Sequence, residues 1–469
     1  MQKEISKTNS MPFWPNPLGH RDIKLGLERV HELLARLDNP HLKLPPIIHI
    51  AGTNGKGSTL AFLKAILEQH NLRVHCYISP HLVNFNERII INGKPIAEDF
   101  LNLLLNECKQ KAEIEPKIEV TFFEGTTIGA ILAFSKIEAD IVLLETGMGG
   151  RLDATNVILE NLCSIISPID FDHQEFLGDS LEKIAFEKAG IIKDNCPVIV
   201  AKQEENTYSV IANQTKIKSS AMISFGKDFG INDSGGKKIY WLKSSICRAL
   251  NEQEKKLFLN NENNNIEFEL ENIGLNGSHQ LINVAVAITA ILQQNYFKLK
   301  IDKIINGIAN TKWQARLQKI ESGTLFNLID NVANFELFLD GSHNQQGART
   351  VADFLQLKKN NKIKEGKNLK IIAMIAMLQD KDSEGFFANI SSLIDELIIL
   401  EIENEPKSRS KEDLIKIASK NKIKNVVANN LDEAFNLAKL MMKNHHNSPD
   451  FLIILTGSLY FAGQFLQKN

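Results

Sequence analysis

The stretch "IIHIAGTNGKGST", residues 47–59, decides how the rest of the chain reads. Ile47 to Ala51 fit a short buried strand, and the run stops at Gly52. A loop of small residues carrying Lys56 follows, and "STLAFLKAILEQH" returns to helical spacing. The order is strand, glycine loop, helix. The loop departs from the pattern G-x-x-x-x-G-K-[ST], because Ile50 stands where the first glycine belongs and Gly57 separates Lys56 from Ser58. Gly52, Gly55 and Gly57 still permit positive φ and a close backbone approach. Backbone N–H groups at the start of the following helix can face an anion. Taken alone, the loop leaves two readings open: a phosphate cradle, or a tight turn with a solvated lysine.

Outward from the loop, the plan repeats. "LGLERVHELLARL" (25–37) places Leu27, Val30, Leu34 and Leu37 on one helical face, and Pro45-Pro46 ends that segment. "VHCYIS", "ADIVLLE", "LCSIIS" and "PVIVA" read as further short strands. Strands alternating with helices predict an α/β domain with a mainly parallel sheet. Residues 228–272 are polar and Asn-rich, and we expect surface hairpins and loops there, in part disordered. A second α/β series begins near residue 312: "LFNLIDN", "FELFLDG", "LKIIAMIAML", "DELIILEI", "NVVAN" and "FLIILTGS" as strands, with helices between. The expected division is 1–311, with the insertion at 228–272, and 312–469.

Composition excludes several classes. The 469 residues are 43% hydrophobic and 23% charged, normal for globular cores, and too long for one ordinary domain. With 54 basic against 56 acidic residues, no basic field points to nucleic acid. Five cysteines without metal spacing fit a reduced compartment. No apolar run of about 18 residues suggests a membrane span, and the first twenty residues lack the apolar stretch of a signal peptide. We expect a cytoplasmic chain, and nothing in the composition demands more than a monomer.

Strand ends supply the chemistry. Glu145 closes "DIVLLE" and emerges at the carboxyl edge of a parallel sheet, where a carboxylate can meet Mg2+. Ser79 ends "HCYIS", and His173 lies just beyond another strand at the same edge. Singly each has a bland explanation; together, beside a glycine loop, they suggest a metal–triphosphate site. Lys188 shares an apolar helix face with Leu181, Ile184 and Ala185. Two readings stand for it: a stem on apolar surface with its charge in water, or a partly buried amine that becomes neutral and takes up CO2 as a carbamate.

The motifs "GTNGKGST", "SPHLVNFNERIIING", "TFFEGTT", "ETGMGGRLDATN", "DHQEFLG", "FEKAGIIK", "LDGSHNQQGA", "AMLQDKD" and "LTGSLY" occur in that order between residues 52 and 460. In this the chain resembles the dihydrofolate synthase/folylpolyglutamate synthase family, within the Mur ligase superfamily of ATP-dependent amide ligases. The resemblance implies a P-loop-type ATPase domain followed by a smaller Rossmann-like α/β domain. It implies an acid–amino-acid ligase that adds L-glutamate to dihydropteroate and to reduced folates through an acyl phosphate, giving ADP and phosphate. By position it assigns Asn54, Gly55, Lys56, Gly57 and Ser58 to the ATP phosphates, and Asn283, Arg316, Asp340 and His343 to the nucleotide. It assigns Ser79, Glu145 and His173 to Mg2+, and Lys188, as a carbamate, to a second Mg2+. Lys56, Glu145, His173 and Lys188 form the catalytic set. The pterin side is Thr121, Phe122, Phe123 and Glu124 with Leu152, Asp153 and Ala154; the aromatic pair can stack on a pterin or simply fill the core.

The chain departs from the family at Ala315, where glycine is common, at Gln345, where proline is common, and at Lys24, where bifunctional relatives can carry an acid. Other readings remain: folylpolyglutamate synthase activity alone, another Mur-type amino-acid ligase, or a P-loop regulatory ATPase. The last needs neither Lys188 nor a second domain bearing Arg316 and Asp340.

Overall fold

Runs of β-branched and aliphatic residues separated by helices build two sheets that are largely parallel and buried on both faces. The computed structural model describes residues 11–15, 25–234, 236–330, 332–444 and 449–469. Lys24 lies outside them. Two compact units divide the chain: residues 1–274 with 281–311, and residues 275–280 with 312–469.

The first unit carries an eight-stranded sheet of β1 (Ile47–Ala51), β2 (Val74–Tyr77), β3 (Ile89–Ile91), β4 (Lys94–Pro95), β5 (Ile141–Glu145), β6 (Cys163–Ile166), β7 (Val198–Val200) and β8 (Met222–Ser224). Their spatial order is β4-β3-β2-β5-β1-β6-β7-β8. Strand β1 lies between β5 and β6, parallel to both, with Ile50 opposite Glu145 and Ala51 opposite Ile166. Strand β2 runs parallel to β5 with Tyr77 opposite Leu144. The carboxyl ends of β1, β2, β5 and β6 therefore share one edge. The β3–β4 hairpin turns antiparallel and closes the other side of β2.

Residues 228–272 differ from expectation. They form an antiparallel sheet of β9 (Phe229–Ser234), β10 (Lys237–Lys243), β11 (Leu259–Asn260) and β12 (Asn265–Glu269), in the order β11-β12-β10-β9. Most of its asparagines are exposed, while Phe229, Tyr240, Leu242, Ile266 and Phe268 are buried. Spacing of two between Tyr240 and Leu242, and between Ile266 and Phe268, is the strand period that the polar composition masked. The Tyr240 hydroxyl pairs with Thr289 at 2.9 Å, on the helix Gln280–Leu292, which ties the insertion to the unit's core.

In the second unit, β13 (Gln318–Ile320), β14 (Phe335–Leu339), β15 (Leu369–Ile375), β16 (Glu396–Ile399), β17 (Asn425–Val427) and β18 (Asp450–Thr456) assemble in the order β13-β14-β18-β15-β16-β17. All pairs are parallel except β13 with β14. "LFNLIDN" is not the expected strand: Thr324–Ile329 is a short helix. Leu325 and Ile329, four apart, are its buried residues, and Asn469 accepts from the N–H groups of Thr324 and Phe326 at its first turn. Short apolar runs suit either a strand or one helical turn, and here the cap decides.

Replacing Tyr240 tests whether the insertion is structural. Tyr240→Ala is expected to lower the unfolding free energy by about 3–5 kcal/mol, and Tyr240→Phe by about 1 kcal/mol, in denaturant titrations.

Candidate active site

The loop between β1 and the helix Lys56–Gln69 is a cradle that only glycine permits. Gly52 has φ +151° and Gly55 φ +85°. A Cβ on Gly52 would stand 1.9 Å from Ser167 Oγ, and one on Gly55 2.5 Å from Asn283 Oδ1. The loop is fastened to the segment after β6. Thr53 and Asn54 donate their N–H groups to the Pro168 carbonyl at 3.0 and 3.3 Å. Ser167 Oγ donates to the Asn54 carbonyl at 2.8 Å, and Thr53 Oγ1 to that of Asp170 at 2.9 Å. Gly57 and Ser58 are buried in the first turn of the helix.

Two lysines meet at this loop. Lys56 Nζ donates to the carbonyls of Gly52 (3.1 Å) and Thr53 (3.3 Å) and lies 3.9 Å from Glu145 Oε1. Lys188 Nζ donates to the same Gly52 carbonyl at 2.8 Å and is buried. Burial, and then the Lys56 charge, push its amine down to about 7, while Asp172 and Asp153 act in the opposite direction. Of the two readings of Lys188, the solvated head is therefore excluded. The helix Leu181–Ala189 brings it there because the loop after β5 packs onto that helix's last turn. A Cβ on Gly150 would stand 2.8 Å from the carbonyls of Glu187 and Lys188, and Arg151 donates its N–H to Glu187 at 2.7 Å.

The candidate metal-binding residues follow strands whose carboxyl ends share one edge of the sheet. Glu145 is buried at the end of β5, and Ser79 lies two residues past β2 on the neighbouring strand. His173 has left-handed φ (52°), precedes the short helix Gln174–Leu177, and lies 3.9 Å from Asp172 through Nε2. Among the described residues no three His, Cys, Asp or Glu side chains form a metal cage by themselves. One carboxylate, one hydroxyl and one imidazole would suit a small divalent cation that also takes oxygen atoms from a bound phosphate, so the residue types fit Mg2+.

At the residues that the resemblance assigns to the pterin side, both carboxylates are held by protein groups. Thr121 and Glu124 form a capping box on the helix Phe122–Lys136. Glu124 is buried, accepts the Thr121 N–H at 2.7 Å and pairs with Arg29 at 2.6 Å. Asp153 is buried too: it accepts the N–H groups of Gly147 and Met148, both at 2.9 Å, and the Thr155 N–H and hydroxyl at 3.0 and 2.5 Å. Burial raises its pKa against those hydrogen bonds. Both acids shape the loops rather than point into open space. Ala154 is buried behind Asp153. Phe122, Phe123 and Leu152 are half-buried. Phe122 meets Phe85 edge-on at 5.7 Å, and Phe123 lies against Gly147, whose Cβ would stand 2.4 Å from its ring.

In the second unit, Asp340 ends β14 and accepts the N–H groups of Leu317 and Ser342, both at 2.9 Å. Leu317 and Ala315 have positive φ on either side of Arg316, so the turn keeps its shape without glycine. Arg316 and His343 both border Gly341: a Cβ on Gly341 would stand 3.1 Å from an Arg316 nitrogen, and His343 Nδ1 lies 3.3 Å from its carbonyl. At Gln345 the side chain donates to Asp382 at 2.6 Å, a link proline could not make. Sequence reasoning missed His279, which burial drives down to about 4 beside Asp340 and Arg316. It also missed Ser167, although a small residue just past a strand end was the signal used for Ser79.

A glycine cradle between a parallel strand and a helix, with strand-end ligands beside it, defines a nucleotide-binding domain of the Mur ligase class. Residues 50–291 match the Mur ligase middle domain, and residues 326–468 the C-terminal domain of dihydrofolate synthetase. The chain is 30% identical to the dihydrofolate synthase/folylpolyglutamate synthase of Bacillus subtilis, over 79% of this chain and 80% of that protein. It is 32% identical to a probable dihydrofolate synthetase of Schizosaccharomyces pombe, over 94% and 97%. The structure of a bifunctional folylpolyglutamate synthase/dihydrofolate synthase from Yersinia pestis, complexed with AMPPNP and Mn ion, superposes with a TM-score of 0.75 at 27% identity, over 96% of this chain and 94% of that one. The chain belongs to the dihydrofolate synthase/folylpolyglutamate synthase family.

Gly55→Ala is expected to destabilise the protein by about 1–2 kcal/mol from the left-handed φ alone. Adding Asn283→Ala removes the clash but not the strain, so thermal unfolding recovers only in part.

Proposed function

We propose that the protein is an ATP-dependent ligase that joins L-glutamate to dihydropteroate and to reduced folates. The observation that carries this is the convergence of Lys56, Glu145 and Lys188 on the Gly52–Gly55 loop. A carboxylate is a poor acyl donor. A carboxylate oxygen attacks the γ-phosphorus of ATP, ADP leaves, and the glutamate amine then displaces phosphate from the acyl carbon. Positioning and charge neutralisation do most of the work in such a transfer.

Asn54, Gly55, Gly57 and Ser58 hold phosphate oxygens through the loop and helix start, and Lys56 adds a point charge. Ser79, Glu145 and His173 hold the divalent metal, which neutralises phosphate charge when bound. Asn283 seats the nucleotide beside Gly55, and Arg316, Asp340 and His343 supply nucleotide contacts from the second unit. Residues 1–311 are the ATP-binding domain and 312–469 the glutamate-ligase domain, acting as a cytoplasmic monomer. Phe122, Phe123 and Leu152 present the aromatic and apolar surface to the pterin; Thr121, Glu124, Asp153 and Ala154 fix its walls. The lowered pKa of Lys188 favours a neutral amine that can add to CO2 and release a proton, and the resulting carbamate would hold a second metal ion. A second reading, dihydrofolate synthase activity alone, is favoured by the match of residues 326–468 to the dihydrofolate synthetase C-terminal domain.

Glutamate-dependent ADP release decides between them. Release with both dihydropteroate and tetrahydrofolate is expected; release with dihydropteroate alone supports the second reading, and release with neither ends both. Lys56→Ala and His173→Ala are expected to abolish turnover and leave the fold intact by circular dichroism.

The neutral fraction of Lys188 rises as pH passes upward through about 7. Labelled bicarbonate should therefore give a carbamate carbon signal that grows from pH 6 to 8 and is missing in Lys188→Ala. A variant with normal rates would remove the carbamate from the mechanism.

A further inference from the structure

The strand that leads into the glycine loop is apolar except at His49. This residue is fully buried, with Leu144 of β5 and Ser164 of β6 as its neighbours across the sheet. Its Nε2 lies 2.8 Å from the Thr155 hydroxyl. That hydroxyl donates its one proton to Asp153 Oδ1 at 2.5 Å, so it accepts from the imidazole, which fixes His49 as the Nε2–H tautomer. Nδ1 is then the bare nitrogen. It is buried and has no hydrogen-bond partner among the described residues. Burial, and then the Lys193 charge, push the imidazole down to about 3, so the ring is neutral.

For stability alone this arrangement gains little. One buried hydrogen bond is made and one buried nitrogen is left unpaired, and a β-branched residue would suit a central strand at least as well. What the imidazole secures is direction. Thr155 and Asp153 form a chain that begins at His49 and ends at the loop leaving β5. Asp153 Oδ1 also accepts the Thr155 N–H at 3.0 Å, and its Oδ2 accepts the N–H groups of Gly147 and Met148, both at 2.9 Å. Gly147 is where the Phe123 ring rests, since a Cβ there would stand 2.4 Å from it. The Thr146 N–H donates to the Ile50 carbonyl at 3.0 Å, so the strand of His49 also holds the start of this loop. A heteroaromatic ring seated against Phe123 and Leu152 would meet a loop whose height is set, through two side chains, by His49.

We propose that His49 is a positioning residue for the pterin ring, acting through Thr155 and Asp153 on the loop at Gly147 and Met148. This rests on the ligase reading. Steady-state ADP release by the full chain, with dihydropteroate and ATP varied in turn, separates it from a packing role. His49→Met fills a similar volume without a donor. It is expected to raise KM for dihydropteroate about 3- to 10-fold, the range of one lost hydrogen bond, with KM for ATP and the melting temperature unchanged. His49→Gln, which keeps an N–H donor, should recover most of the loss. Thr155→Val should raise the same KM, and adding His49→Met to it should raise it no further. A residue that only packed β1 would disturb the phosphate loop first, because Gly52 follows on the same stretch of chain. The proposal is overturned if KM for ATP rises in step, if melting falls while KM for dihydropteroate holds, or if the two substitutions add in full. Nitrogen NMR of labelled histidine gives a readout apart from activity: an Nδ1–H tautomer at His49 also overturns it. If the native protein releases no ADP with either acyl acceptor, the ligase reading itself has failed and this role with it. Native activity with an unaltered KM in His49→Met removes this role alone.

Discussion

Two lysine side chains converge on one backbone carbonyl, that of Gly52, and the rest of the site is arranged around this contact. The position is possible because β1 lies between β5 and β6, so its end is flanked by Glu145 on one side and Ser167 on the other. Ser167 occupies the space that any side chain at residue 52 would need. Gathering two ammonium groups where water is scarce is unfavourable, and the buried member responds by lowering its proton affinity. An anion brought to the loop relieves that repulsion.

The acidic residues divide into two kinds. Glu145 stands beside Lys56 at the edge of the sheet. Glu124 and Asp153 are buried and saturated by capping and loop N–H groups. Both kinds lie in conspicuous motifs, and a motif does not say which chemistry its acid performs. The pairing of Glu124 with Arg29 also means that the helix preceding β1 helps fix the helix that carries Phe122 and Phe123.

Most of the architecture was legible because β1, β5, β14, β15 and β18 are apolar runs bounded by glycine, proline or acid, and parallel alternation needs little more. The approach of Glu145 to Lys56 followed from strand parallelism, which puts the ends of β1 and β5 side by side. Lys188 was half legible: periodicity put it on an apolar face, but only its burial and its hydrogen bond to the Gly52 carbonyl show that its amine is enclosed. Two elements misled. Asparagine-rich turns in residues 228–272 hid a sheet whose buried positions are few but correctly spaced. Thr324–Ile329 depends on Asn469, about 140 residues away in sequence, for its N-terminal partners, and no local pattern reports such a cap.

The edge strand Lys94–Pro95 has one further consequence. It is exposed, only two residues long, and its proline has no N–H to offer. A wide parallel sheet with a bare flank invites another chain to add itself by hydrogen bonding. Here the flank ends in a charge and a ring, so the eight strands cannot serve as a template for self-polymerisation from that side, and the enzyme can be concentrated without this route to fibres.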